Sequence, residues 1–191
     1  NLVEESIGLY VNRVGLNYRL RDFDFKFGTF ASKSALINIT NGHLFLDNAT
    51  VLDMNITAGQ DNFGIITTGT NSELTLRPNI KIGSAANKTI ALYGADGAKI
   101  HLDSANSIET EGLASHGVIL TGVGTILNDT TTGSNHSFLT AGPSCGINPL
   151  CNGSVALYVE DGATADLSNS PVINVKSTGD RSVGVYAKSG V

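Results

Sequence analysis

Among the side chains able to do chemistry in this chain of 191 residues are two cysteines that fall in one short segment. Cys145 and Cys151 have five residues between them, which is wrong for a zinc knuckle, and a tetrahedral zinc site needs two more ligands nearby. A disulfide across that gap fits the spacing. By loop entropy it contributes about 2 kcal/mol, mainly by stiffening its own segment, and it implies an oxidising compartment. Two free thiols at the base of a loop are the plainer alternative.

The histidines, His43, His101, His116 and His136, include no i, i+2 or i, i+4 pair that would set two imidazoles on one face, so each reads as structural. Asp96, Glu160 and Asp161 sit beside Gly97 and Gly162, where an aspartate side chain supports a turn by bonding to nearby backbone. Phosphate loops, a Gly-x-Ser-x-Gly elbow and a glycine-rich calcium nonapeptide are all missing from the sequence. So are the Asn-Thr-Asp, Asp-Asp and Gly-His-Gly signatures of polygalacturonases; His43 in Asn-Gly-His-Leu is the nearest and a poor match. No catalytic residue, metal or cofactor is expected.

The elements that must position these residues are written as a repeat. Ile90 to Gly112, IALYGADGAKIHLDSANSIETEG, returns at Val155 to Gly179 as VALYVEDGATADLSNSPVINVKSTG. A small residue marks the first strand of each copy: Gly8, Ala35, Gly64, Ala91, Gly117, Ala156 and Gly184, at spacings of 27, 29, 27, 26, 39 and 28. After each marker comes an aliphatic residue (Leu9, Leu36, Ile65, Leu92, Val118, Leu157, Val185), and then Tyr10, Ile37, Ile66, Tyr93, Ile119, Tyr158 or Tyr186. Turn glycines follow, as positive φ at corners requires. The copy at Ala35 is the weakest, because Ser34 precedes it where an apolar residue is expected.

Short alternating runs of Val, Ile, Leu, Thr and Tyr between Gly, Asn and Asp read as strands, and no window has helical periodicity. The pattern predicts an all-β fold over residues 1–191: one parallel β-helix solenoid, about 27 residues and three strands per coil, in about seven coils. At roughly 4.8 Å per coil the rod is on the order of 29 Å long. Inner columns of Leu, Ile and Val fill it, and the Tyr and Ile column two places past each marker should point outward. The spacing of 39 assigns the excess to Asn128–Cys151, expected to project as a loop with Phe138 and Leu139 as its only adjacent apolar pair and Pro143 and Pro149 as stiffeners.

Composition narrows the partners. The chain is 41% hydrophobic and 15% charged, enough apolar material for a core, with a formal net charge of −5. The densest cations, Arg13, Arg19, Arg21 and Lys26, are interleaved with Asp22 and Asp24, so nucleic acid is a poor partner. No apolar run approaches a membrane span, and neither a signal peptide nor polar caps are evident, as expected of a fragment of something longer.

Val-Gly-Val-Tyr-Ala-Lys-Ser-Gly at Val183–Gly190, with Ile-Ala-Leu-Tyr at Ile90 and Val-Ala-Leu-Tyr at Val155, resembles the coils of autotransporter (type Va secretion) passenger domains. The Asn-rich, Trp-free composition is similar to theirs. The resemblance implies a right-handed β-helix exported to the surface of a Gram-negative bacterium, there or after secretion acting as an adhesin or virulence factor on a host cell-surface protein or glycan, without itself inserting in a membrane. The two cysteines depart from the usual pattern. The expected contact residues are Phe138, Leu139, Pro143 and Ile147 of the insertion and the outward Tyr93, Tyr158 and Tyr186. A carbohydrate-active β-helix enzyme and a pure spacer are the alternatives. Asn-x-Ser/Thr triplets occur at Asn38, Asn48, Asn55, Asn87, Asn128, Asn135 and Asn152; in a bacterial protein they are inert to the eukaryotic glycosylation machinery.

Overall fold

The computed structural model describes residues 6–26, 33–47, 51–53, 61–77, 81–84, 87–103, 105–112, 114–140, 153–177 and 182–188. Among these, every regular element is a strand. In chain order they are β1 (Ile7–Arg21), β2 (Asp24–Lys26), β3 (Ala35–Asp47), β4 (Val51–Asp53), β5 (Asn62–Thr68), β6 (Ser72–Leu76), β7 (Lys81–Ser84), β8 (Thr89–Ala95) and β9 (Lys99–Leu102). There follow β10 (Asn106–Thr110), β11 (His116–Thr121), β12 (Ile126–Asp129), β13 (Asn135–Thr140), β14 (Val155–Glu160), β15 (Thr164–Asp166), β16 (Val172–Ser177) and β17 (Val183–Ala187).

No strand pairs with the next in sequence; each pairs in parallel with its equivalent one turn away. An 11-stranded sheet contains two ladders, β1-β3-β5-β8-β11-β14-β17 and β1-β3-β6-β9-β12-β15. They are joined because β1 and β3 run unbroken through a corner that later turns make with Gly69, Asp96-Gly97, Gly122 and Asp161-Gly162. A 6-stranded sheet holds the third ladder, β2-β4-β7-β10-β13-β16. This is a parallel β-solenoid of about five turns. The Asp-Gly corners follow the sequence: Asp96 and Asp161 take left-handed φ of 56° and 53°, a region short polar side chains tolerate.

Each turn buries its apolar face only against the turns beside it. In the first ladder Leu9, Ile37, Ile65, Leu92, Val118, Leu157 and Val185 stack in register. Ile37, Ile65, Leu92 and Val118 are fully buried, whereas Val185, over which no further described strand lies, is exposed. The second and third ladders add Leu44, Leu74, Ile100 and Leu127, and Phe25, Leu52, Ile108 and Phe138.

Two expectations are corrected. In the copy at Ala35 the register runs one residue later: Ile7 pairs with Ala35 and Leu9 with Ile37, so Ile37 is an inner residue, not an outward one, and Asn38 takes the outward place. Ser34, an anomaly under the earlier register, then belongs to a polar column. Ser34, Asn62, Thr89, Ser115 and Ser154 are each buried at the start of a first-ladder strand, as its first residue or the one before it. The Ser6 N–H donates to Ser34 Oγ (3.1 Å), Ser34 N–H to Asn62 Oδ1 (2.9 Å), Thr89 N–H to Ser115 Oγ (3.2 Å) and Ser115 N–H to Ser154 Oγ (3.2 Å). At this corner side-chain oxygens take over from the backbone ladder, each bond contributing about 1 kcal/mol net.

The second correction concerns the insertion. Its described part does not leave the rod, because Asn128 lies in β12 and residues 135–140 form β13, paired with both β10 and β16. Phe138 is 1% exposed, in register with Ile108 and Val175, so it is a core residue and not a contact tip. The extra length falls after Thr140: residues 141–154 separate β13 from β14, where residues 111–115 separate β10 from β11. Pro143, Cys145, Ile147, Pro149 and Cys151 lie outside the described residues.

Candidate interaction surface

Alternation along the strands turns two outward columns to each face of the solenoid, and the faces differ in chemistry. On the first ladder, Tyr10, Asn38, Ile66, Tyr93, Ile119, Tyr158 and Tyr186 follow one another in register, one per strand. Phe63 and Ile90 lie beside them in the adjacent column. Tyr93 and Tyr158 are half-buried by their neighbours and Tyr186 is exposed. The Tyr158 and Tyr186 rings stack at 4.7 Å, 15° from parallel, and Phe63 meets Tyr93 edge-on at 5.9 Å. Parallel pairing forces this arrangement, since equivalent side chains repeat at the strand separation.

Hydroxyls rim the apolar strip. The Tyr158 phenol donates to Glu160 Oε2 at 2.7 Å, and that bond, with burial and the Glu160 charge behind it, pushes its pKa up to about 12. Burial also raises the Tyr93 phenol, reinforced by Asp96 and Glu160. Both phenols stay neutral donors at any physiological pH.

The second ladder presents charge instead, and the charges face one another. Arg19, Arg21 and Arg77 converge on the buried Asp47 carboxylate at 3.2, 3.6 and 3.3 Å, and Arg77 also reaches Asp103 at 3.5 Å. Arg19 and Arg77 flank the Phe45 ring at 5.4 and 5.3 Å, with the His43 imidazole stacked 3.8 Å from it. Glu73 Oε1 lies 2.8 Å from His101 Nε2 and 3.6 Å from His43 Nδ1, while His101 Nδ1 meets Asn128 Oδ1 at 2.7 Å and His43 Nε2 meets Thr75 Oγ1 at 2.8 Å. Burial lowers the His43 pKa, Glu73 opposes that, and His101 and Arg77 add to it. No set of three His, Cys, Asp or Glu side chains among the described residues is placed to hold a metal ion. His43 and His101 stand two repeats apart in the sequence and in different columns of the second ladder, and both reach Glu73 on the strand between them, a meeting that sequence spacing conceals.

Outward positions on the third ladder are mostly polar: Ser107, Glu109, Ser137, Asn174 and Lys176, with Leu139 half-buried and Val172 exposed among them. The tyrosines are therefore brought together on one face, and Leu139 lies on another. No helix among the described residues is long and apolar enough to cross a membrane. Comparison of the chain with protein families, with curated proteins and with solved structures finds no match.

Proposed function

We propose that this chain is a length of autotransporter-type passenger rod, a right-handed β-helix of about seven coils, displayed on or secreted from a Gram-negative cell. Its role is binding to a host cell-surface protein or glycan, without catalysis. The observation that carries the reading is the outward stack Ile66, Tyr93, Ile119, Tyr158 and Tyr186, which with Phe63 and Ile90 beside it makes an apolar strip on a rod whose other faces are mostly charged and polar. Stacked apolar side chains facing water are costly unless something covers them, and tyrosine combines a large flat contact area with a hydroxyl that binds polar groups. The coil motifs at Ile90, Val155 and Val183 support the family assignment.

The test is adhesion of the purified chain to host cells, wild type beside a Tyr93→Ser, Tyr158→Ser, Tyr186→Ser variant. Binding should fall roughly tenfold or more, as for loss of an aromatic contact cluster, with the β-sheet circular dichroism unchanged. Full binding by the folded variant would refute the tyrosine face as contact element. A Cys145–Cys151 disulfide belongs to the same reading: thiol titration of the unfolded, unreduced protein should find no free thiol, and two would contradict it.

A further inference from the structure

His116 and His136 frame the place where the extra length enters the solenoid. His136 lies in β13, the strand before residues 141–152, and His116 ties β11 to β14, the strand after them. His136 is fully buried, between Asn106 and Ile173 in register, and neither ring nitrogen meets a hydrogen-bond partner among the described residues. An imidazole so placed is neutral, because protonation would bury a charge with nothing to solvate it. One carboxylate favours the charged form, Asp129 on β12. It is itself 2% exposed and already accepts from the Asn169 N–H and the Ser170 hydroxyl. Glu109 of β10 and Lys176 of β16 are level with Leu139 and belong to the outward alternates of their strands.

His116 Nδ1 accepts the backbone N–H of Val155 at 3.2 Å, so this nitrogen is unprotonated and the neutral ring carries its proton on Nε2. Its partners in register, Ile90 of β8 and Val155 of β14, are apolar. Adding a proton at Nδ1 turns that acceptor into a donor aimed at another donor.

We propose that His116 and His136 form an acid-sensitive latch: while both rings are neutral they hold β13 and the start of β14 closed, and protonation releases them. Burial lowers the pKa of both, and for His136 it outweighs the opposing Asp129. The opened state therefore binds more protons than the closed one. The latch holds fully above the ordinary imidazole value of 6.5 and loosens as pH falls below it.

Hydrogen exchange followed by mass spectrometry tests this on the whole chain. After correction for intrinsic rates, exchange in β13 and at Val155–Leu157 should accelerate between pH 7.5 and 5, by up to about tenfold per group for each pH unit below 6.5. A His116→Asn, His136→Leu variant, which has neither titrating ring, should show no acceleration. His43→Gln should leave it intact, since that ring is on the second face. An acid response undiminished in the double variant would overturn the proposal. If the double variant does not fold, imidazole titration of the wild type by NMR decides: both rings should titrate below 6.5 in step with the exchange, and ordinary titration of either would overturn it.

Discussion

Leu92 sits between Ile65 and Val118 in an inner column that runs through the first ladder, fully buried, with Ile100 and Leu120 in the same core. Leu92→Ala should cost about 2–5 kcal/mol in chemical unfolding, because turns held apart by paired backbones cannot collapse into the cavity. A loss well under about 1 kcal/mol would contradict the packing. The small marker residues have a reason at the same scale. A Cβ on Gly117 would stand 2.5 Å from the Ala156 carbonyl oxygen of the next turn, closer than any real contact. These identities are legible in the sequence because they recur from turn to turn, except in the copy at Ala35, where Leu36 occupies the place of the small marker. The polar column through Ser34, Asn62, Thr89, Ser115 and Ser154 was equally periodic, but its residue types coincide with those of ordinary turns, and nothing local marks them as buried.

At the level of strands, the interruption falls in the turn that the spacing of 39 marks, but it starts after Thr140 and not at Asn128. Asn135–Thr140 looked like loop because its inner residues, His136, Phe138 and Thr140, are mostly polar, yet Asn106, Ile108 and Thr110 of β10 follow the same polar, apolar, polar order. Aligning the third strand as well as the first would have found β13. The distinction can be measured by deletion. Excising residues 141–149 leaves 150–154 to join β13 to β14, as many as the 111–115 that join β10 to β11, so the β-sheet circular dichroism and cooperative unfolding should persist. Excising 130–150 removes β13 and the Phe138 core contact, and should abolish cooperative unfolding. If both deletions behave alike, β13 is not part of the solenoid. The charged face shows the other limit of sequence reading. Arg21 pairs in register with Asp47, and Arg77 forms ion pairs with both Asp47 and Asp103, so opposite charges meet across turns. Their partnership depends on a register that only the whole ladder defines.

For the whole molecule, parallel stacking turns a sequence repeat into three faces of different character, and the proposed contact function belongs to the one that is apolar. The most direct test of that claim is photocrosslinking on host cells from single positions, with a benzophenone amino acid replacing Ile119, between Tyr93 and Tyr158, or Leu139 on the third face. Both positions are outward and half-buried, so either replacement is tolerated on equal terms. An adduct with a host surface component is expected from position 119 and none from position 139; adducts from 139 alone, or equal yields from both, would contradict an apolar contact face.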